Sequence, residues 1–274
     1  MTNPKLNMQI EFTNHCNLQC VECPHRMMKR KRQHMMPDVI EKVLEYIRLL
    51  SPNTVIMHKD GEPLLHPSFK EIFTSVVEAV PTTKIDIYTN GFFITLGLVE
   101  YLSAMAKENK VWLLVSFHRH SYDGSKYNLS TVLRNLTEAI TLRSPNIEFV
   151  ITTHKTDLVD EEEGQKWYQY WRKMQKEYPA IYDVHYNTLI NHWGGRIKQG
   201  TLVHFNRCPY YREDHFFIGV TGNVLPCCID LEEEIVFGNI MTDDFETIRT
   251  KRRKFYETLN RGGPQEDLCI RCMY

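Results

Sequence analysis

Between Cys23 and Cys208 the chain has no cysteine at all. Its eight thiols fall into four groups, Cys16/Cys20/Cys23, Cys208, Cys227/Cys228 and Cys269/Cys272. A disulfide framework belongs to short secreted chains. Tight groups separated by a long empty span point instead to metal ligation in a reducing compartment, and a cytoplasmic location is expected. No run approaches the roughly 18 apolar residues of a membrane span. Residues 1–5 lack the apolar core of a secretory signal, so no membrane association is expected. Charge of one sign is missing too: the net charge is -1, which gives no field to draw in nucleic acid or an acidic lipid surface. Internal repeats and low-complexity segments are absent. What remains is a 274-residue chain, 42% hydrophobic and 24% charged. That is ordinary globular composition, enough for one large α/β domain with or without a small appendage.

Hydrophobic periodicity predicts six strands, at 8–12, 54–58, 84–89, 111–116, 147–152 and 183–186. Helices are predicted between them, at 37–50, 68–80, 95–107, 130–143 and 161–178. Alternation of this kind argues for a parallel sheet with right-handed crossovers, and leaves an open sheet and a partial barrel undistinguished. In both, ligands sit beyond the carboxyl ends of the strands. Residues 16–23, Gly61-Glu62, Asn90-Gly91, Ser116 and Thr152 then surround one mouth. The basic run within residues 24–36 reads as a solvated loop, or as a loop over that mouth that attracts a polar substrate.

The chemistry is concentrated in Cys16-Asn17-Leu18-Gln19-Cys20-Val21-Glu22-Cys23. Three thiols this close can face one metal centre, and thiolates favour zinc, Cu(I) or iron–sulfur clusters. A zinc knuckle or buried cysteines also satisfy the spacing. The C-x3-C-x2-C pattern after a first strand resembles the radical S-adenosylmethionine (SAM) superfamily. The resemblance covers roughly residues 8–195 and implies a partial (β/α)6 TIM-like barrel over residues 1–195. It also implies a [4Fe–4S] cluster on Cys16, Cys20 and Cys23 whose open iron chelates SAM. The reaction implied is reductive cleavage of SAM to a 5'-deoxyadenosyl radical that removes hydrogen from a substrate.

Gly61-Glu62-Pro63 resembles the family's "GGE" segment, which holds the SAM ammonium, with Asp60 standing where the first glycine is usual. Asn90 and Ser116 look like the ribose- and carboxylate-contacting positions, and Thr152 is a further cofactor candidate at the same mouth. Read without the resemblance, Asp-Gly-Glu-Pro and Asn-Gly are ordinary turn sequences. Glu22 occupies a place where the family carries an apolar neighbour of adenine.

Residues 191–195 mark the expected end of the barrel. Beyond it, 215–228 reads as two strands around Thr221-Gly222-Asn223, and 244–259 as an amphipathic helix. Cys208, Cys227 and the terminal pair Cys269/Cys272 can close a four-thiolate site, as in an iron–sulfur cluster or a zinc ribbon. Their order resembles the shortened SPASM ("twitch") domain, which implies an auxiliary [4Fe–4S] cluster and a second domain over residues 196–274. Cys228 is then spare, because neighbouring strand residues point to opposite faces. It is either a small buried hydrophobe or, as in radical SAM epimerases, a hydrogen-atom donor.

His58, Lys59, His118, Arg119, His120, His154 and Lys155 lie at strand ends and suggest a polar, partly cationic cavity. Cys228, His118, Arg119 and His154 are the catalytic candidates, one of which could deprotonate a substrate hydroxyl. The resemblance implies dehydrogenation of a small carbohydrate- or aminocyclitol-like substrate. The auxiliary cluster would take the second electron, and a flavodoxin or ferredoxin would serve as donor. Epimerisation through Cys228 and peptide modification are the enzymatic alternatives. A zinc or redox-sensing module using residues 29–32 on nucleic acid is the non-enzymatic one, and near-neutral charge speaks against such a partner.

Overall fold

Alternation along the strands has a direct cause in what covers each face. The computed structural model describes residues 6–117, 129–154, 161–187, 190–198, 202–203, 208, 210, 215–264 and 266–273. Strands β1 (Asn7–Ile10), β2 (Thr54–Ile56), β3 (Lys84–Thr89), β4 (Val111–Ser116), β5 (Ile147–His154) and β6 (Ile181–Asn187) lie parallel and in chain order. One face, with Met8, Ile10, Val55, Ile85, Ile87, Leu113, Val115, Phe149 and Ile151, is buried in the core. The other face carries Gln9, Lys84, Asp86, Tyr88, Trp112, Ser116, Glu148 and His154. A parallel sheet covered on both faces reads as unbroken apolar runs. Here the polar face is the inner side of an open barrel, the partial (β/α)6 barrel expected from the sequence.

Helices α1 (Pro37–Leu50), α2 (Phe69–Ala79), α3 (Leu96–Ala106), α4 (Leu129–Ala139) and α5 (Glu161–Glu177) connect these strands. Pro37 opens α1, where its missing N–H is no loss, and Val39, Val43, Leu44, Tyr46 and Ile47 form the buried stripe. Thr95 caps α3 by accepting from the Leu98 N–H at 3.2 Å. α4 ends four residues before the expected Arg143. Its last turn tightens as Thr141 N donates to Glu138 O and Leu142 N to Ala139 O.

β7 (Ile190–Asn191) and β8 (Leu202–Val203) form a separate parallel pair. β9 (His215–Ile218) and β10 (Asn223–Leu225) make the expected hairpin, with Gly222 at φ +86°, and β11 (Gly238–Asn239) pairs with β10. β9 also lies parallel to β1, from Asn7↔His215 to Ile10↔Ile218. The hairpin therefore extends the barrel sheet to nine strands, with β11 and β6 at its edges. β7, β8 and β11 are too short to leave a periodic signal. Asp244 caps α6 (Phe245–Gly262), accepting from Thr247 N at 2.9 Å, and α7 (Asp267–Met273) carries Cys269 and Cys272 one turn apart. Among the described residues no helix is long and apolar enough to cross a membrane.

A buried set of charges fastens the hairpin side to the barrel. Glu11, fully buried, accepts from Arg30 at 2.7 and 2.5 Å and from Val220 N at 3.0 Å. Arg30 also donates to Asp60 at 2.8 Å and Leu231 O at 2.6 Å, and faces Glu233 at 3.4 Å. Lys59, 1% exposed, donates to Asp60 and to Asp230 O at 2.8 Å. Lys29, Lys31 and Arg32 are exposed, as a solvated loop requires, whereas Arg30 turns inward. Replacing Arg30 by Met leaves Glu11 and Asp60 buried without their guanidinium. We expect a loss of about 3–5 kcal/mol in urea unfolding; a loss under about 1 kcal/mol would contradict the role assigned to this network.

Candidate active site

The cysteine loop leaves β1 and is closed at its base. Met35 N donates to Phe12 O at 2.8 Å, Thr13 and His34 form an antiparallel bridge, and the Asn14 side chain bonds Gln33 N at 2.6 Å and Lys31 O at 2.9 Å. Gly61 presses against this base. A β-carbon there would stand 2.5 Å from Thr13 O and 2.6 Å from His15 O, so no other residue fits without backbone movement. Glu62 N donates to His15 O at 2.8 Å. The Glu62 carboxylate accepts from Thr89 Oγ1 at 2.8 Å, Asn90 N at 2.8 Å and Leu64 N at 3.2 Å. Asn90 in turn donates to Asn17 Oδ1 at 2.8 Å, inside the cysteine loop. The Gly-Glu segment and the Asn-Gly turn are thus more than turns: they lock the ends of β2 and β3 to the loop.

These groups face a cavity of about 330 Å³ at the carboxyl ends of the strands. Its wall brings together Cys16, Cys20, Cys23, Gly61, Glu62, Asn90, Ser116 and His154, from the expected set. Two of the expected cofactor-binding positions stand apart from it. Thr152 shares Ser116's register but is not in the wall, and Pro63 is buried at the start of a short helical turn, where it fixes the chain after Glu62. His118, Arg119, His120 and Lys155 lie outside the described residues. The wall also contains Tyr88, Asn187, Asn191 and Trp193, which sequence reasoning did not single out. Tyr88 could have been found, since it shares the inner face of β3 with Lys84 and Asp86; Asn187 and Asn191 end the weakly patterned β6 and β7, and Trp193 follows them. Apolar surface near the loop comes from Leu18, Pro24 and Tyr88, with Glu22 beside them.

Burial pushes the Cys16 thiol up to about 11, helped by the Glu62 charge, and the Cys23 thiol up to about 12, helped by Cys16 and Asp60. Cys20 is raised by burial and by Glu22 and the other two thiols. A bound metal centre reverses this balance and holds thiolates. Among the described residues no trio of His, Cys, Asp or Glu is placed to hold a single metal ion. Three thiols that line one cavity with a buried carboxylate and carboxamide fit the donor set of an iron–sulfur cluster with an amino-acid ligand.

In the C-terminal set, Cys208 lies within electrostatic reach of Cys227, Cys269 and Cys272. This donor set can hold a four-thiolate cluster. Cys228 also lies within electrostatic reach of Cys227 and Cys272. It shares a 2.9 Å hydrogen bond with the Tyr210 hydroxyl and senses Lys59 and Asp60, and it is not in the cavity wall.

His58 stacks on Tyr88 at 5.6 Å, and burial lowers its pKa from the ordinary 6.5 to about 4. The unfolded chain therefore binds a proton that the native one does not, and stability present above pH 6.5 is lost as pH falls towards 4. Asp60 shifts in the opposite direction. Burial raises its pKa, opposed by Lys59 and Arg30. Replacing His58 by Gln should remove about 2 kcal/mol of the stability loss between roughly pH 7 and 5. Denaturant unfolding of both proteins checks this, and parallel pH profiles would contradict it.

Comparison with known proteins accounts for the arrangement. A model of the Radical SAM superfamily matches residues 10–163, and a model described as an iron–sulfur cluster-binding domain matches residues 208–273. The S-adenosyl-L-methionine-dependent 2-deoxy-scyllo-inosamine dehydrogenase of Niallia circulans is 24% identical over 97% of this chain and 91% of its own length. The crystal structure of BtrN with AdoMet and 2-DOIA superposes with a TM-score of 0.68 at 21% identity, covering 98% of this chain and 93% of that one. That of anSMEcpe with AdoMet superposes with a TM-score of 0.66 at 16% identity, covering 98% and 83%. The superfamily model spans the cysteine loop and the barrel from the end of β1 to the start of α5, more than half of the chain: the chain belongs to the Radical SAM superfamily.

Proposed function

We propose that this chain is a radical SAM dehydrogenase of a small polyhydroxylated ring, of the aminocyclitol class. The observation that carries the reading is the end-to-end match to a dehydrogenase acting on 2-deoxy-scyllo-inosamine, with little left over on either chain. The polar groups that line the cavity at the strand ends, among them Ser116, His154, Asn187 and Asn191, suit a hydroxylated ring. In this reading Cys16, Cys20 and Cys23 hold the first [4Fe–4S] cluster, and Glu62, Asn90 and Ser116 orient SAM. Cys208, Cys227, Cys269 and Cys272 hold the auxiliary cluster, within a unit spanning residues 196–274. When bound, the clusters and SAM supply hydrogen abstraction and take up the second electron. A one-electron protein such as flavodoxin or ferredoxin serves as donor.

The protein's own contribution is orientation and proton handling. Glu62 is pinned by Thr89 and Asn90, so a cofactor ammonium meets a carboxylate that cannot swing away. His154 ends β5 in the cavity wall, paired in register with Asn187, and in this reading it takes the hydroxyl proton as the carbonyl forms. Epimerisation would need a thiol at the substrate. Cys228 is outside the wall and bonded to Tyr210, which favours dehydrogenation.

Anaerobic reconstitution should give about eight irons per chain, falling to about four when Cys16, Cys20 and Cys23 are replaced by Ala. Iron that vanishes entirely in the variant would remove the auxiliary cluster from the account. His154→Gln should lower ketone formation about a hundredfold or more while 5'-deoxyadenosine release persists. An unchanged rate would take the proton-acceptor role away from His154.

A further inference from the structure

Trp193 reaches the cavity from a backbone conformation that a bulky side chain rarely adopts. Its φ is +52°, and Gly194 and Gly195 follow at +62° and +77°. Such a run persists only where its surroundings determine it, and strain of this kind collects at ligand sites. Within the turn, Asn191 Oδ1 accepts from Trp193 N at 2.8 Å and Gly195 N donates to His192 Nδ1 at 3.1 Å.

The remaining support comes from the cysteine-bearing helix α7. Arg271, between Cys269 and Cys272, donates through Nε to Gly194 O at 3.1 Å. Its second arm grips Glu234 at 3.0 and 2.8 Å, and Arg196 joins the same carboxylate at 2.5 Å. Leu268 and Arg271 also pack on the bare glycines. A β-carbon on Gly194 would stand 2.8 Å from Leu268, and one on Gly195 would stand 3.6 Å from Arg271. The turn that carries Trp193 therefore rests on the helix that carries two of the auxiliary thiols.

Asn187, Asn191 and His154 give the same part of the wall hydrogen-bonding edges, while Trp193 gives it a flat apolar face. A ring with hydroxyls at its rim and C–H bonds on its face needs both. We propose that Trp193 is the surface on which the substrate ring stacks, and that Arg271 is the positioning residue that sets it. The auxiliary site then shapes the substrate pocket as well as serving redox chemistry. This inference rests on the ring-substrate reading above.

Two readouts test it separately. Without substrate, acrylamide quenching of Trp193, taken as the difference between each protein and its W193F counterpart, should rise about twofold in R271A. Gly194→Ala should do the same through the backbone, leaving both cysteines and Arg271 in place. Quenching that stays at the wild-type level in both variants overturns the clamp. With substrate, W193A should raise KM about tenfold with kcat within about twofold, and W193F should stay near the wild type. A KM unaltered in W193A overturns the stacking role. Full iron content in R271A and Gly194→Ala, with the same KM rise, supports positioning; a KM that rises only in step with lost iron overturns it. If no ring substrate is turned over by the wild type, the functional reading falls, while the quenching result still decides the clamp.

Discussion

Two buried cations, Arg30 and Lys59, are the constraint on which the arrangement depends. Their partners come from three separate parts of the chain: Glu11 after β1, Asp60 after β2, and Asp230 and Glu233 beyond the hairpin. Charges this deep are tolerated only when paired and hydrogen-bonded, so the three parts must arrive together. That requirement holds β9 against β1 and brings the C-terminal segment alongside the cofactor mouth. It also explains Asp60, which stands where the family usually has glycine and supplies the carboxylate both cations need.

The mouth itself is organised by contacts that leave little freedom. Gly61 has no room for a side chain, and Glu62 is held on both oxygens by the end of β3. A SAM ammonium would thus meet a preset acceptor, the arrangement by which a fixed site keeps a reactive cofactor oriented. The wall also contains Asn187, Asn191 and Trp193, and the turn after Trp193 is braced by α7. The cavity is therefore supported from both cysteine sets.

How much of this was legible in the sequence depended on distance along the chain. Cys16, Cys20 and Cys23 are contiguous and their spacing carries chemistry directly. Gly61-Glu62 and Asn90-Gly91 were placed at one mouth by strand periodicity, and Cys208, Cys227, Cys269 and Cys272 were grouped as one donor set. Arg30 was not recoverable, because a basic residue in a basic run looks solvated until its partners, up to about 200 positions away, are known. Trp193 and Arg271 were hidden for the same reason. Thr152 illustrates the limit of register: lying beside Ser116 in the sheet did not bring it to the cavity.

The central claim is that this chain removes two electrons and one carbon-bound hydrogen from a ring hydroxyl carbon. The most direct measurement follows that hydrogen, using a cyclitol carrying deuterium at the carbon to be oxidised. The account predicts one deuterium in 5'-deoxyadenosine for each ketone formed. Deuterium transfer with the alcohol retained, its carbon now bearing a solvent hydrogen, would contradict it and make the enzyme an epimerase.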